Sequence, residues 1–302
     1  MIMKKLLVPF FALFLFSCVN TSKQNATDSQ NDSLRAEKTT AETAKPMPPV
    51  YVVCDVYGEK FLLRQRFDED EKPSAPDSLN KYKFVIYKRK PHAVSFLRFQ
   101  PENAEMNTGR DSYRNFDNLS GWLYTMDSGK LLENPKDEWD AIWDAALLVD
   151  DLFLKQNDIL PFKDESAPTA DIKVALEKKY GRKIKSVVSS QAFGEKGEYL
   201  FVNVQFVNKG AEALGVTALC KNGSLLATKD FPAAWNDESV WRVDDEGEFH
   251  GLQLDLATLC NGVLTLYTAN FGAEGTNYAS FVIKDGSFAD GGLSDTFYQS
   301  PE

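Results

Sequence analysis

The sequence predicts an α+β protein: antiparallel sheets carrying two packed helices, with a C-terminal half that is mostly antiparallel β. Three observations support this. Short apolar stretches of strand length follow one another from Val50 onward, separated by turn-like segments such as NKGAEA, KNGS and KDGS. Two segments instead space their apolar residues at helical period and begin with capping side chains. After the second of these, eight strand-like runs occur without an intervening helix, which argues for a meander rather than a parallel sheet.

Taken in order, VYVVCDVYGEKFLLRQRF reads as a hairpin about Gly58. YKFVIYK and HAVSFLRF form a second pair joined through Lys88 to Pro91, and both pairs alternate as a sheet with one buried face requires. Residues 101–121 read as a long loop, and WLYT around Trp122 as a short strand. Asn134, Pro135, Asp137 and Glu138 make a strong helix start, after which Trp139, Ile142, Trp143, Ala146, Leu147, Phe153 and Leu154 share one helical face. A second helix runs from about Thr169 to Tyr180 and stops at Gly181, the residue that takes a left-handed cap at least cost. The strands expected beyond it are IKSVVSS, YLFVNVQFVN, LGVTALC, LLATKDF, SVWRV, FHGLQLDLATL, VLTLYTA and YASFVIK. A helix followed by long antiparallel strands resembles, in element order, cystatin-like and NTF2-like folds. The loop PFKDESAP, 161–168, divides an α+β domain over 50–165 from a helix-plus-β domain over 166–302, the alternative being one continuous sheet.

The N-terminus sets the address. Lys4 and Lys5 precede an apolar run from Leu6 to Phe16, about eleven residues, where a membrane-spanning helix needs about twenty. The run ends in Leu15-Phe16-Ser17-Cys18, which resembles the lipobox of bacterial lipoproteins, with a large residue at 16 where a small one is usual. That resemblance covers residues 1–18 and the polar tether over 19–49. It implies a signal peptide over 1–18, acylation (a palmitate-type anchor) on Cys18, and membrane attachment on the extracytoplasmic side. The tether holds almost no large apolar residues and is expected to be flexible, stiffening at Pro46, Pro48 and Pro49. Val19 is not the aspartate that retains some lipoproteins at the inner membrane, so the expected location is the outer membrane, facing the periplasm.

Charge bounds the partners. The chain carries a net charge of -10, and a polyanion of this kind is repelled by nucleic acid and anionic lipid surfaces, leaving the lipid on Cys18 as the membrane contact. From Trp235 onward twelve acids face two bases, Arg242 and Lys284. This segment is read as a solubilising surface or as an acidic face for a cationic protein or envelope polymer, with Asp244, Asp245 and Glu246 as candidate contacts and Trp235 and Trp241 as flanking aromatics. Asp285, Asp290 and Asp295 recur every five residues, but lack the register of known calcium loops, so no metal or other cofactor is assigned. Cys220 and Cys260 end strand-like runs and are candidates for a disulfide, the alternative being separately buried thiols.

Catalytic signals are sparse. His92 and His250 are the two histidines, HExxH is missing, and neither GxSxG, GxxxxGK[ST] nor GxGxxG occurs. The expected function is therefore a non-catalytic binding or assembly module for a protein or envelope polymer. The alternative is an envelope hydrolase working through paired carboxylates, chemistry that needs only two acids across a sugar.

Overall fold

A six-stranded barrel and a nine-stranded curled sheet share one hydrophobic seam. The computed structural model describes residues 45–65, 78–132, 145–164 and 166–300, and Ala44–Glu302 form one compact unit. The expected signal, the tether over 19–44 and the helix start at 134–144 lie outside the described residues.

The barrel is built from β1 (Val50–Cys54), β2 (Lys60–Arg64), β3 (Tyr82–Tyr87), β4 (Lys90–Gln100), β5 (Gly121–Met126) and β6 (Ala146–Asp150), closing in the order β1-β2-β5-β4-β3-β6. Alternation sends Val52, Phe61, Val85, Tyr124 and Leu148 into the lumen, which at this strand number side chains fill. Their neighbours Tyr51, Val53, Leu62, Ile86, Leu147 and Val149 point outward, yet they are also buried, because this side of the barrel packs on the sheet. That explains the unbroken apolar runs VYVVC and ALLVD: both strands are covered on two faces, not one. The end of the tether is also fixed, since the Met47 N–H donates to Asp150 (2.8 Å) and the Tyr82 hydroxyl donates to the Pro48 carbonyl (2.8 Å).

Asp150 caps α1 (Asp151–Gln156) by accepting the Phe153 N–H at 2.8 Å. The long helix expected through 154 is therefore corrected: Ala146 and Leu147 lie in a strand, and helix begins only at Asp151. Helical spacing and a doubly buried strand both place apolar residues close together, and pairing of β6 with β1 and β3 decides between them. After α1 come β7 (Asp158–Ile159) and α2 (Ala170–Tyr180), the latter capped by Thr169 and ended by Gly181 at φ 58° as the sequence predicts.

The second sheet contains β8 (Ile184–Phe193), β9 (Tyr199–Phe206), β10 (Glu212–Lys221), β11 (Ser224–Ala234), β12 (Gln253–Cys260), β13 (Val263–Phe271), β14 (Gly275–Lys284) and β15 (Ser287–Tyr298). Its order is β7-β12-β13-β14-β15-β11-β10-β9-β8, antiparallel except at the β11–β15 contact. β7 already belongs to it, so the sheet starts before the boundary expected at 165. Helix α2 covers one face through Ile172 and Leu176 against Val202, Val204 and Val216. The opposite face curls so that Phe201 and Leu219 meet Leu254, Ala257 and Leu266.

The protein is mainly β rather than a balanced α+β fold. Two further expectations change. SVWRV, 239–243, is loop, and Ser287–Tyr298, read above for its recurrent aspartates, is the twelve-residue strand β15. The three aspartates have structural tasks: Asp285 occupies the turn before β15 at φ 50°, Asp290 accepts the Gly292 N–H at 2.8 Å, and Asp295 accepts from Arg64 at 3.0 Å. Among the described residues no three His, Cys, Asp or Glu side chains converge as a metal site. Nor is a Cys220–Cys260 bridge made. Cys220 lies in the core under α2, whereas a bulge at Asp255 shifts the register of β12, sending Leu254 and Leu256 to different cores and leaving Cys260 half-buried at the strand end.

Candidate functional site

The acidic segment resolves into a strap. Residues 235–252 cross the helix-free side of β9 and β10, held by buried polar side chains. The Asn203 amide donates to the Leu252 carbonyl (2.8 Å) and accepts the Leu252 N–H (3.2 Å), while Gln205 donates to the Gly247 carbonyl (2.8 Å). Thr217 donates to Asn203 at 2.5 Å and completes the network. Each amide does for the strap what a neighbouring strand would do, so buried backbone groups stay paired.

Asp245, one of the candidate contacts, is inside this strap at 3% exposure. Its carboxylate accepts the N–H groups of Val240, Trp241, Arg242 and Gly247. Burial alone would raise its pKa, but the N–H groups of Val240, Arg242, Trp241 and Gly247 together hold it below the ordinary carboxylate value. Asp244 and Glu246 flank it in left-handed backbone, at φ 56° and 50°, and remain exposed. The triplet is thus a turn organised around one inward acid rather than a continuous contact surface. Trp241 is an anchor, donating to the Phe231 carbonyl at 2.9 Å and packing on Phe249. Trp235 is one-third exposed and lies over Gly247, where any Cβ would collide with its ring.

A different place offers a binding geometry. At the seam, a cavity of about 230 Å³ opens between the outer wall of the barrel and β12. Tyr51, Ile86 and Leu147 line it from the barrel, and Leu254, Asp255 and Leu256 from the sheet. Deep within it, burial and then the charge of Asp255 push the Tyr51 phenol well above its ordinary pKa, so it stays a neutral hydroxyl. Its ring packs on Tyr278 with centroids 4.3 Å apart and planes tilted by 32°, and the Tyr278 hydroxyl accepts the Ala145 N–H at 3.2 Å. The bulge in β12 creates this wall by adding a residue to one strand only.

Lys88 and Arg89 stand at the mouth. They are the two central residues of the β3–β4 hairpin, Tyr87 and Lys90 being paired across it, and both adopt positive φ (46° and 67°). That is the type I′ geometry that suits the twist of a hairpin and ordinarily selects Asn-Gly. The Arg89 guanidinium lies 4.2 Å over the Phe162 ring and Lys88 lies 5.2 Å over Tyr87. Neither forms a salt bridge with a carboxylate among the described residues.

A second recess of about 330 Å³ shares Gln253 and Leu254 with the first and adds Ser189, Gln191, His250 and Phe271. Sequence reading did not single out Tyr51, Asp255, Lys88 or Arg89. The available signal was a Lys-Arg-Lys run at a hairpin tip of an acidic chain, and an acid interrupting the strand pattern LQLDLATL. Compared with known protein families, with characterised proteins and with solved structures, the chain matches none.

Proposed function

We propose that the protein is a membrane-anchored extracytoplasmic lipoprotein, attached through Cys18 to the periplasmic side of the outer membrane, whose folded body is a non-catalytic binding or assembly module for a protein or envelope polymer. The observation that supports this reading is the seam cavity with its adjoining recess: a preformed concavity in which apolar side chains alternate with polar groups held at fixed positions. In this reading α2 and the β8–β11 meander are a cystatin-like or NTF2-like unit. The helix covers one of its faces and the strap the other, so ligand contact falls to the seam with the barrel. Binding is preferred over hydrolysis by paired carboxylates because, among the described residues, Asp255 is the one acid lining either recess.

A photo-cross-linking side chain placed at Gln253, which is exposed and shared by both recesses, tests this in intact cells. A discrete envelope product captured from Gln253 and not from Lys229 is the expected result. Identical capture from both positions would overturn the assignment of the cleft. In the same cells, Cys18→Ala should release the protein from the membrane fraction.

A further inference from the structure

Resting on the reading of the seam as a binding site, we infer that its ligand is a carboxylate with an apolar body, the carboxylate seated on Arg89 and Lys88 at the mouth and the body lying against Ile86, Leu147, Leu254 and Leu256.

Four observations lead there. First, the hairpin places two cations where its backbone favours Asn-Gly, and a non-glycine residue in left-handed conformation costs roughly 1–2 kcal/mol. Strain retained at a cavity mouth points to a task that Asn-Gly cannot perform. Second, Arg89 is already oriented. Its guanidinium carbon is held 4.2 Å over the Phe162 ring, and among the described residues no carboxylate pairs with its N–H donors, so the fork can grip a carboxylate through two parallel hydrogen bonds.

Third, Ile86, Leu147, Leu254 and Leu256 give the otherwise polar walls an apolar part, and the space is small. At about 30 Å³ per water-sized group, 230 Å³ holds about eight such groups, a phenylalkyl chain or one or two amino-acid residues. Fourth, charge selects a monoanion. Asp255 lies on the same cavity wall and the chain as a whole carries -10, so a doubly charged phosphate meets more repulsion here than a carboxylate does. A free organic acid and the C-terminus of a peptide both present this chemistry.

The test is calorimetric titration of the full chain in a nonionic detergent. The probes are 4-phenylbutyrate, the dipeptide acetyl-Ala-Leu, the amide of each, and phenylpropyl phosphate. Both acids should bind, and each amide should bind about 10- to 100-fold more weakly, the loss expected for charge-assisted hydrogen bonds. Binding of one acid but not the other identifies the source. The double substitution Lys88→Asn with Arg89→Gly installs the preferred turn, so thermal stability should hold or rise while affinity for both acids falls at least tenfold. Lys196→Gln, on an exposed turn elsewhere, should change neither.

Equal binding of acid and amide would overturn the inference, as would tighter binding of the phosphate or undiminished affinity in the double variant. If neither acid binds while cross-linking from Gln253 still captures an envelope product, the ligand class is wrong and the binding site stands. If both experiments fail, the reading of the cleft falls with it.

Discussion

In the barrel each of β1 to β6 has a hydrogen-bonded strand on both sides, and the lumen fills with Val52, Phe61, Val85 and Leu148. Its polar atoms are few; the Tyr124 hydroxyl, for instance, donates to the Leu79 carbonyl at 3.0 Å. The nine-stranded sheet follows another course. It curls without closing, ends at β7 and β8, and covers the exposed part of its inner face with the 235–252 strap bound by Asn203, Gln205 and Thr217. Closure by strands is distributed over many backbone bonds, whereas closure by a strap depends on a few side chains. The barrel should therefore resist local damage, and the sheet should open locally before it unfolds.

The largest effect should come from uncoupling the two. Arg64 on β2 pairs with Asp111 and, at 3.0 Å, with Asp295 on β15, while its guanidinium lies 4.2 Å over Phe297. Arg64→Met leaves the buried Asp111 and the half-buried Asp295 without their cation, at a cost of about 3–5 kcal/mol. In urea, the single transition of the parent should shift down and separate into a sheet step and a barrel step. A shift below about 1 kcal/mol would mean that the apolar seam couples them unaided.

Next comes the strap alone. Gly251 has φ 73°, and a Cβ there would come within 2.2 Å of the Asn203 amide oxygen. Gly251→Ala combines backbone strain with a clash and should destabilise by about 3 kcal/mol. Hydrogen exchange should quicken across 235–252 and the inner edge of β9 while barrel amides keep their protection. Uniform acceleration would show that the strap and barrel form one cooperative unit.

The smallest effect is a pH response confined to the strap. The Asp245 pKa is lowered in the folded protein, so its contribution is complete above the unfolded carboxylate value of about 3.9 and is lost as pH falls through the lower folded value. Near-ultraviolet dichroism from Trp241 should change in that acid range before far-ultraviolet dichroism does. Asp245→Asn should abolish this early step and cost about 1–2 kcal/mol at neutral pH, by analogy with the loss of a capping carboxylate.

The same contrast explains what could be read in advance. Local chemistry fixes α2, since Thr169 caps it and Gly181 alone accepts its left-handed end without strain. It also fixes three of the hairpins, whose turns fall at Asn222-Gly223, Asn261-Gly262 and Asp285-Gly286. These depend on residues a few positions apart. Which apolar run is a helix and which a strand buried on both faces is not local: Ala146 and Leu147 satisfy either pattern until β1 and β3 pair with them. The parity of β12 was likewise hidden, because a one-residue bulge at Asp255 moves every later side chain to the other face. The sequence by itself therefore determined the turns, the caps, the second helix and the acidic balance, each a property of neighbours along the chain. Tertiary structure alone decided that Asp245 is interior, that Asp295 serves Arg64, and that Lys88 and Arg89 meet Tyr51 and Leu254 at one cavity. The first depends on the strap being laid over β9 and β10, and the other two on how barrel and sheet pack across 160 and more residues of chain, where pairing and burial, rather than spacing, set which groups meet.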